Sequence, residues 1–183
     1  MRIAWGITGA GHFLQESIDL LEKLIQNGHI IDLFLSGAGQ TVIKMYGLLD
    51  KIEKLKAMYP EGIKHIYLEQ DQAPGFPVCA RFNLEHYQLL VIAPLTANSV
   101  GKMNAGIADS LITNIFSQMI KGGGKIFLMP CDLIPGEIET VAPGAKKVKI
   151  HIDQFNSDNA KALTKFPNVS LFETPVGILN AIK

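Results

Sequence analysis

Charge is scarce in this sequence and evenly split. Only 19% of its 183 residues are charged, and 17 basic residues cancel 17 acidic ones. A chain without net charge has no long-range hold on a phosphate backbone, which argues against a nucleic-acid partner. Membrane-length hydrophobic runs are missing as well, and the longest ones are of strand length. Met1-Arg-Ile-Ala-Trp-Gly6 is too short and too soon interrupted for a signal peptide, so the expected location is cytoplasmic. The two cysteines, Cys79 and Cys131, form neither a CxxC pattern nor a metal-ligand spacing and are expected as free thiols. His12, His29, His65, His86 and His151 are scattered, and no GxSxG elbow is present. Zinc and serine-hydrolase chemistry therefore have no motif to stand on. Repeats, low-complexity tracts and linkers are also missing, and the length suits one domain over residues 1–183.

What is abundant is apolar residues, at 48% of the chain. Together with low charge, that fits either a large core or a subunit that buries part of its surface in an oligomer. The most informative stretch is Tyr87 to Asn114. Leu89 to Ala93 is a short β-branched run, as in a strand buried on both faces of a parallel sheet. It stops at Pro94 and is followed by Thr96, Asn98 and Ser99, and then by helical spacing at Val100, Met103 and Ile107. Small polar residues between strand and helix set hydroxyls, amides and free N–H groups at the strand's carboxyl end, where open α/β sheets bind ligands. Capping the next helix is the plainer use of such residues. Gly106-Ile-Ala-Asp109, Thr113 and Asn114 exceed what capping requires.

Other segments repeat the pattern. Arg2 to Thr8 reads as a strand, followed by the turn Gly9-Ala-Gly11 and a helix with Ser17, Leu20, Leu21, Leu24 and Ile25 on one face. The turn is not a full GxGxxG: the third glycine position is Leu14, and the second strand, Ile30 to Leu35, ends in Ser36 and Gly37 without an acidic residue for a ribose. A mononucleotide phosphate site or a plain tight turn remain. Ser36-Gly-Ala-Gly39 reads as a second small-residue turn, with a helix from about Gln40. A helix follows over Leu48 to Tyr59 and a strand over Lys64 to Glu69. Gln70 to Pro77 is a loop that leads to Arg81, a candidate substrate or anion contact. Helix over Leu111 to Ile120, a strand over Lys125 to Met129, and a loop with Pro135, Gly136, Pro143 and Gly144 come next. Val148 to Ile152 is a strand, Asn156 to Phe166 a helix, Val169 to Phe172 an extended piece and Pro175 to Ile182 a last helix. The expected fold is α/β, a Rossmann-like (flavodoxin-like) doubly wound parallel sheet of five or six strands in three α/β/α layers. Hydroxyls, amides and backbone donors with few charges suit a neutral aromatic ring with a phosphate tail, and FMN is the cofactor favoured on these grounds.

Pro94-Leu-Thr-Ala-Asn-Ser99 resembles the P-A-S/T-A-N-T fingerprint of the homo-oligomeric flavin-containing cysteine decarboxylase superfamily. GITGAGHFLQE and KMNAGIADSLITN resemble more specifically its archaeoflavoprotein and dihydromethanopterin reductase branch. The resemblance covers residues 1 to about 132 and leaves the last fifty residues without a motif. It implies FMN held between neighbouring subunits of a trimer, or of an assembly of trimers. Thr8, Gly9, Ala10 and His12 would then follow the phosphate and ribityl chain, with Ser36 and Gly39 beside them. Pro94, Thr96, Ala97, Asn98 and Ser99 would contact ribityl and ring, and Thr113 and Asn114 would reach a neighbour's flavin.

Two departures bear on function. Decarboxylating members carry a histidine in an H-I-x-L stretch, where this chain has Arg81-Phe-Asn-Leu84. Their P-x-M-N-x-x-M/W segment is replaced by Pro130-Cys-Asp-Leu-Ile-Pro-Gly136. The resemblance thus implies an FMN-dependent oxidoreductase that takes electrons from ferredoxin or NAD(P)H and passes them to an acceptor, such as dihydromethanopterin or another pterin. Arg81 is the catalytic candidate, facing the flavin to stabilise an anionic hydroquinone or a substrate carboxylate. A decarboxylase or flavin prenyltransferase, and a non-catalytic FMN-binding protein, are the alternatives. No metal is expected.

Overall fold

In the computed structural model, which describes residues 1–72, 78–83 and 86–182, six parallel strands form one sheet. In chain order they are β1 (Arg2–Ile7), β2 (Ile30–Leu35), β3 (Ile63–Leu68), β4 (Leu89–Leu95), β5 (Lys125–Pro130) and β8 (Val169–Leu171). They lie in the order β3-β2-β1-β4-β5-β8. Two further strands, β6 (Gly136–Ala142) and β7 (Lys146–Ile152), form a separate antiparallel hairpin. The helices are α1 (Leu14–Gln26), α2 (Gly37–Met45), α3 (Leu49–Met58), α4 (Ala97–Asn104), α5 (Leu111–Lys121), α6 (Gln154–Lys161) and α7 (Pro175–Ile182). No helix among the described residues is long and apolar enough to cross a membrane.

The alternation along each central strand divides the core in two. Ile3, Trp5, Ile7, Leu33, Val91 and Phe127 face the layer holding α1, α3 and α7. Ala4, Phe34, Leu90, Ile92 and Leu128 face α4 and α5 on the other side. Both faces of β1 and β4 are therefore covered, which is why these strands read as unbroken apolar runs. Each wing of the sheet grows outward from the β1–β4 pair, so the winding direction reverses between those two strands.

Several local expectations change. β4 runs through Pro94 to Leu95, since a proline at a strand end needs no ladder N–H there. α2 starts at Gly37, three residues early, because Ser36 caps it. The expected helix through Ile107 is two helices: the chain breaks at Gly106, which takes φ +72°, and leaves Ile107 47% exposed. The expected loop around Gly136 forms β6, paired along its length with β7. α6 ends at Lys161, and a 3₁₀ turn covers Ala162–Lys165. Part of the Gln70–Pro77 loop, and Leu84, lie outside the described residues.

One buried charge ties the β3–β2–β1 wing together. Asp32, fully enclosed in β2, accepts hydrogen bonds from Arg2 Nη2 at 2.7 Å and Tyr87 Oη at 2.7 Å, with His65 Nδ1 at 3.1 Å. Burial, reinforced by the Asp32 carboxylate, pushes the Tyr87 phenol well above its ordinary pKa and keeps it a donor. Asp32→Ala leaves the enclosed Tyr87 hydroxyl without its acceptor and takes a buried carboxylate from Arg2 and His65. We expect a loss of about 3–5 kcal/mol in urea unfolding; a loss under about 1 kcal/mol would show that the network is dispensable.

Candidate functional site

The winding reversal puts a crevice at the carboxyl ends of β1 and β4, and Thr8 closes its base. The enclosed Thr8 hydroxyl donates to the Pro94 carbonyl at 2.8 Å and accepts from the Thr96 N–H at 2.9 Å, while the Thr8 N–H donates to the same carbonyl at 3.2 Å. Both strand ends, with the turns they launch, are thereby held at one fixed separation.

Three helices begin around this base, each with a hydroxyl cap. The Ser36 hydroxyl accepts from Gly39 N at 2.9 Å, Thr96 from Ser99 N at 3.4 Å and Ser110 from Thr113 N at 3.2 Å. The first N–H groups of a helix lack intrahelical partners, so α2 and α4 present donors and the positive ends of their dipoles to the same space. Gly39 is enforced: a Cβ there would sit 2.5 Å from the Ile7 carbonyl, so only glycine lets α2 start this close to β1. A side chain on Gly37, by contrast, would meet open space. The result is a cleft of about 330 Å³ with Thr8, Gly9, Ser36, Thr96, Asn98 and Ser99 on its walls.

Of the residues expected to bind a cofactor, those six line the cleft directly. Pro94 is buried beneath it and acts through its carbonyl. Gly39 is buried and gives its N–H to the Ser36 hydroxyl. Ala10 and Ala97 are half-buried beside the cleft. Thr113 is buried and serves the cap of α5, bonding to Ser110, while half-buried Asn114 donates its N–H to the Ser110 carbonyl. His12 turns away from the cleft towards the hairpin, with Nδ1 3.1 Å from Thr140 Oγ1. Arg81 lies over the Tyr67 ring at 5.3 Å and is not among the described residues on the cleft walls. Within one subunit its expected approach to a cofactor therefore finds no support.

The cleft also holds residues that sequence reasoning passed over: Gly37, Ala38, Glu69, Lys102 and Ser110. Lys102 follows Asn98 by one helical turn, a spacing that puts both on one face of α4; its ammonium is bound by Asp109 at 2.8 Å. The Ser110–Thr113 spacing is that of a capping box. Glu69 carried no signal. Its carboxylate accepts from Leu111 N at 2.7 Å and is thus committed to the start of α5.

Beyond the first turn, the end of β5 adds a titratable group. Burial, with Asp153 adding repulsion, raises the pKa of Asp132, against the pull of His12 and a hydrogen bond from the Ala97 N–H. Burial lowers that of His12, opposed by Glu16 and Asp132. Burial, with the Asp132 charge adding to it, pushes the Cys131 thiol up to about 12, and burial also raises that of Cys79, so neither is a ready thiolate. Both thiols are free, as expected.

The Thr8 bridge makes a separable prediction. Thr8→Val keeps the shape but leaves the Thr96 N–H without its acceptor, and should cost about 1–3 kcal/mol in chemical denaturation. Thr8→Ser should recover most of that. Equal losses in both variants would assign the effect to packing of the methyl group.

Comparison with known proteins places this geometry. The sequence profile of the Flavoprotein family matches residues 1–172. The chain is 40% identical over 144 residues to a dihydromethanopterin reductase (acceptor) of Methanosarcina mazei, an alignment covering 78% of this chain and 59% of that protein's length. A dihydromethanopterin reductase (acceptor) of Methanocaldococcus jannaschii is 36% identical over 176 residues, covering 92% and 70%. In three dimensions the chain resembles Burkholderia xenovorans DmrB in complex with FMN, described as a cubic protein cage for redox transfer. That match has a TM-score of 0.79 at 29% identity and covers 99% of this chain and 92% of the other. By a profile that spans all six strands of its sheet, the chain belongs to the flavoprotein family.

Proposed function

We propose that the chain acts as one FMN-binding domain over residues 1–183 and passes electrons from ferredoxin or NAD(P)H to an acceptor. A pterin such as dihydromethanopterin is the leading acceptor. The observation that carries this reading is the cleft at the winding reversal, where the capped starts of α2 and α4 and the hydroxyls of Thr8, Ser36, Thr96, Ser99 and Ser110 surround a space whose two charged side chains among the described residues are already bonded. Glu69 is committed to α5 and Lys102 to Asp109.

The residues fit the group. Ser36, Gly37 and Ala38 on one side, and Thr96, Asn98 and Ser99 on the other, would hold a phosphate and ribityl chain by neutral hydrogen bonds and helix dipoles. Gly9 and Ala10 would let the chain pass close to the first turn. When bound, FMN supplies the hydride or single-electron chemistry, and the protein supplies position and exclusion of water. The dihydromethanopterin reductase relatives support the redox class and the pterin; DmrB in its FMN complex supports the cofactor. Where decarboxylating members have their histidine and P-x-M-N segment, this chain has Arg81 and Pro130–Gly136.

A homo-oligomer, a trimer or an assembly of trimers, completes the reading. The groove between α4 and α5, with Met103, exposed Ile107, Phe116 and Phe166, offers an apolar seat for a second copy beside Thr113. Thr113 and Asn114 would then approach a neighbour's flavin, and Arg81 would act on a site completed across subunits. A cytoplasmic setting suits both electron donors and two free thiols.

The test is an absorbance spectrum of the purified protein with FMN, recorded before and after anaerobic addition of reduced ferredoxin and then NADPH. A flavin band that bleaches with either donor, and recovers on adding dihydromethanopterin, is expected. A flavin that ignores both donors would contradict the redox role, and a chain that takes up no FMN would contradict the cofactor.

A further inference from the structure

A second concavity, of about 460 Å³, lies on the far side of the first turn. Its volume falls within the range of small-molecule sites. The Gly11 backbone forms its floor, and Tyr46 packs so closely there that any Cβ would collide with its hydroxyl. The β6–β7 hairpin forms its roof. Two hydrogen bonds fix that roof to the body: Tyr46 Oη donates to the Val141 carbonyl at 2.7 Å, and Thr140 Oγ1 pairs with His12 Nδ1 at 3.1 Å. His12 and Phe13, with ring centroids 4.0 Å apart and planes tilted by 42°, supply aromatic surface. The space is therefore built from three separate parts of the chain and held open.

Its walls differ in charge from the cleft's, which carry one side chain of each sign, Glu69 and Lys102. The charged side chains on its walls are two carboxylates, Glu16 and Glu139, with neither lysine nor arginine among them. His12 adds no positive charge at neutral pH, since burial holds its pKa below the ordinary value. A phosphate or carboxylate ligand is repelled here, whereas the cleft's helix starts attract one. The two concavities thus sort ligands by charge. Glu139 is already bound to Lys147 at 2.8 Å. Glu16, in the first turn of α1, is left to accept from a ligand.

We propose that this cavity is a second binding site for a flat, neutral heteroaromatic ring, and that Glu16 reads the ring's 2-amino-4-oxopyrimidine edge. That edge carries an N3–H and a 2-amino group side by side, and a carboxylate accepts from both in parallel. The ring itself lies against His12 and Phe13. A pterin and a guanine share this edge. The inference rests on the redox reading, because it supplies that reading with a seat for the acceptor next to the turn that the cofactor follows.

Calorimetric titration of the FMN-loaded protein with 6-methylpterin and with 6-methyllumazine tests it. The two differ only in the 2-amino group, which is a carbonyl in the lumazine. A site built to pair that donor discriminates strongly against an analogue lacking it. The pterin should bind at least about tenfold more tightly, and Glu16→Gln should weaken pterin binding about 10- to 100-fold with little change for the lumazine. Glu139→Gln should have much less effect. Guanosine separates the two sources: tighter pterin binding assigns the site to a pterin, tighter guanosine binding to a guanine nucleoside, and both uphold the role of Glu16. Equal binding of pterin and lumazine, an unchanged E16Q, or no pterin binding overturns the proposal, as does release of FMN by the pterin. Loading with FMN is measured first, so failure of the cofactor reading shows at that step. The same titration of the flavin-free chain then still decides the cavity.

Discussion

The architecture of the candidate site depends on the hydroxyl of Thr8. It bridges the ends of β1 and β4 by donating to Pro94 and accepting from Thr96. Those strands are neighbours only because the winding direction reverses between them, so no helix or loop connects their ends directly. Without a bridge the two turns could drift apart by the slack of a loop. With it, the first turn, the start of α2 and the start of α4 form one rigid rim. The Asp32 network plays the matching role lower in the sheet, holding β3, β2 and β1 to the segment that enters β4.

From this rim follows a division of labour by electrostatics rather than by charge count. The chain is neutral overall, yet its two concavities differ: the cleft walls carry one charge of each sign, Glu69 and Lys102, and the cavity walls two carboxylates. The cleft collects helix starts, whose aligned dipoles favour an anion. The cavity behind the first turn collects carboxylates under a hairpin roof. Gly9 lies in one and Gly11 in the other, so a single short turn separates them. A neutral composition therefore conceals two environments suited to different ligands.

Much of the cleft was legible in the sequence because strand ends and caps are local. Thr96 before Ser99, and Ser36 before Gly39, announce helix starts within four residues, and the apolar runs of β1, β2, β4 and β5 announce a covered parallel sheet. The expected flavodoxin-like fold and flavoprotein membership both hold. The misreadings fall where tertiary context overrides a local pattern. Ile107 has the right spacing to continue α4, but Gly106 takes a left-handed conformation and turns it outward. The segment from Gly136 looked like a loop because its more covered face, only half-buried, carries Gly136 and Thr140 while Val141 lies on the exposed face, so no clean apolar alternation marks the strand. Glu69 and His12 show the limit of such reading. Each acts on a partner far along the chain, Leu111 for one and Thr140 for the other, and no local pattern names that partner.

On the proposed function, the cleft at the winding reversal holds the flavin. Gly37 gives the most direct measurement, because it lines the cleft, lies in the first turn of a helix and has open space where a side chain would point. Gly37→Leu should fold as the parent does and fill the cleft. Titrating FMN into the parent and G37L, with flavin fluorescence as the readout and circular dichroism as the folding control, should show saturable quenching in the parent and none in the variant. Equal quenching in a folded G37L would place the flavin outside this cleft.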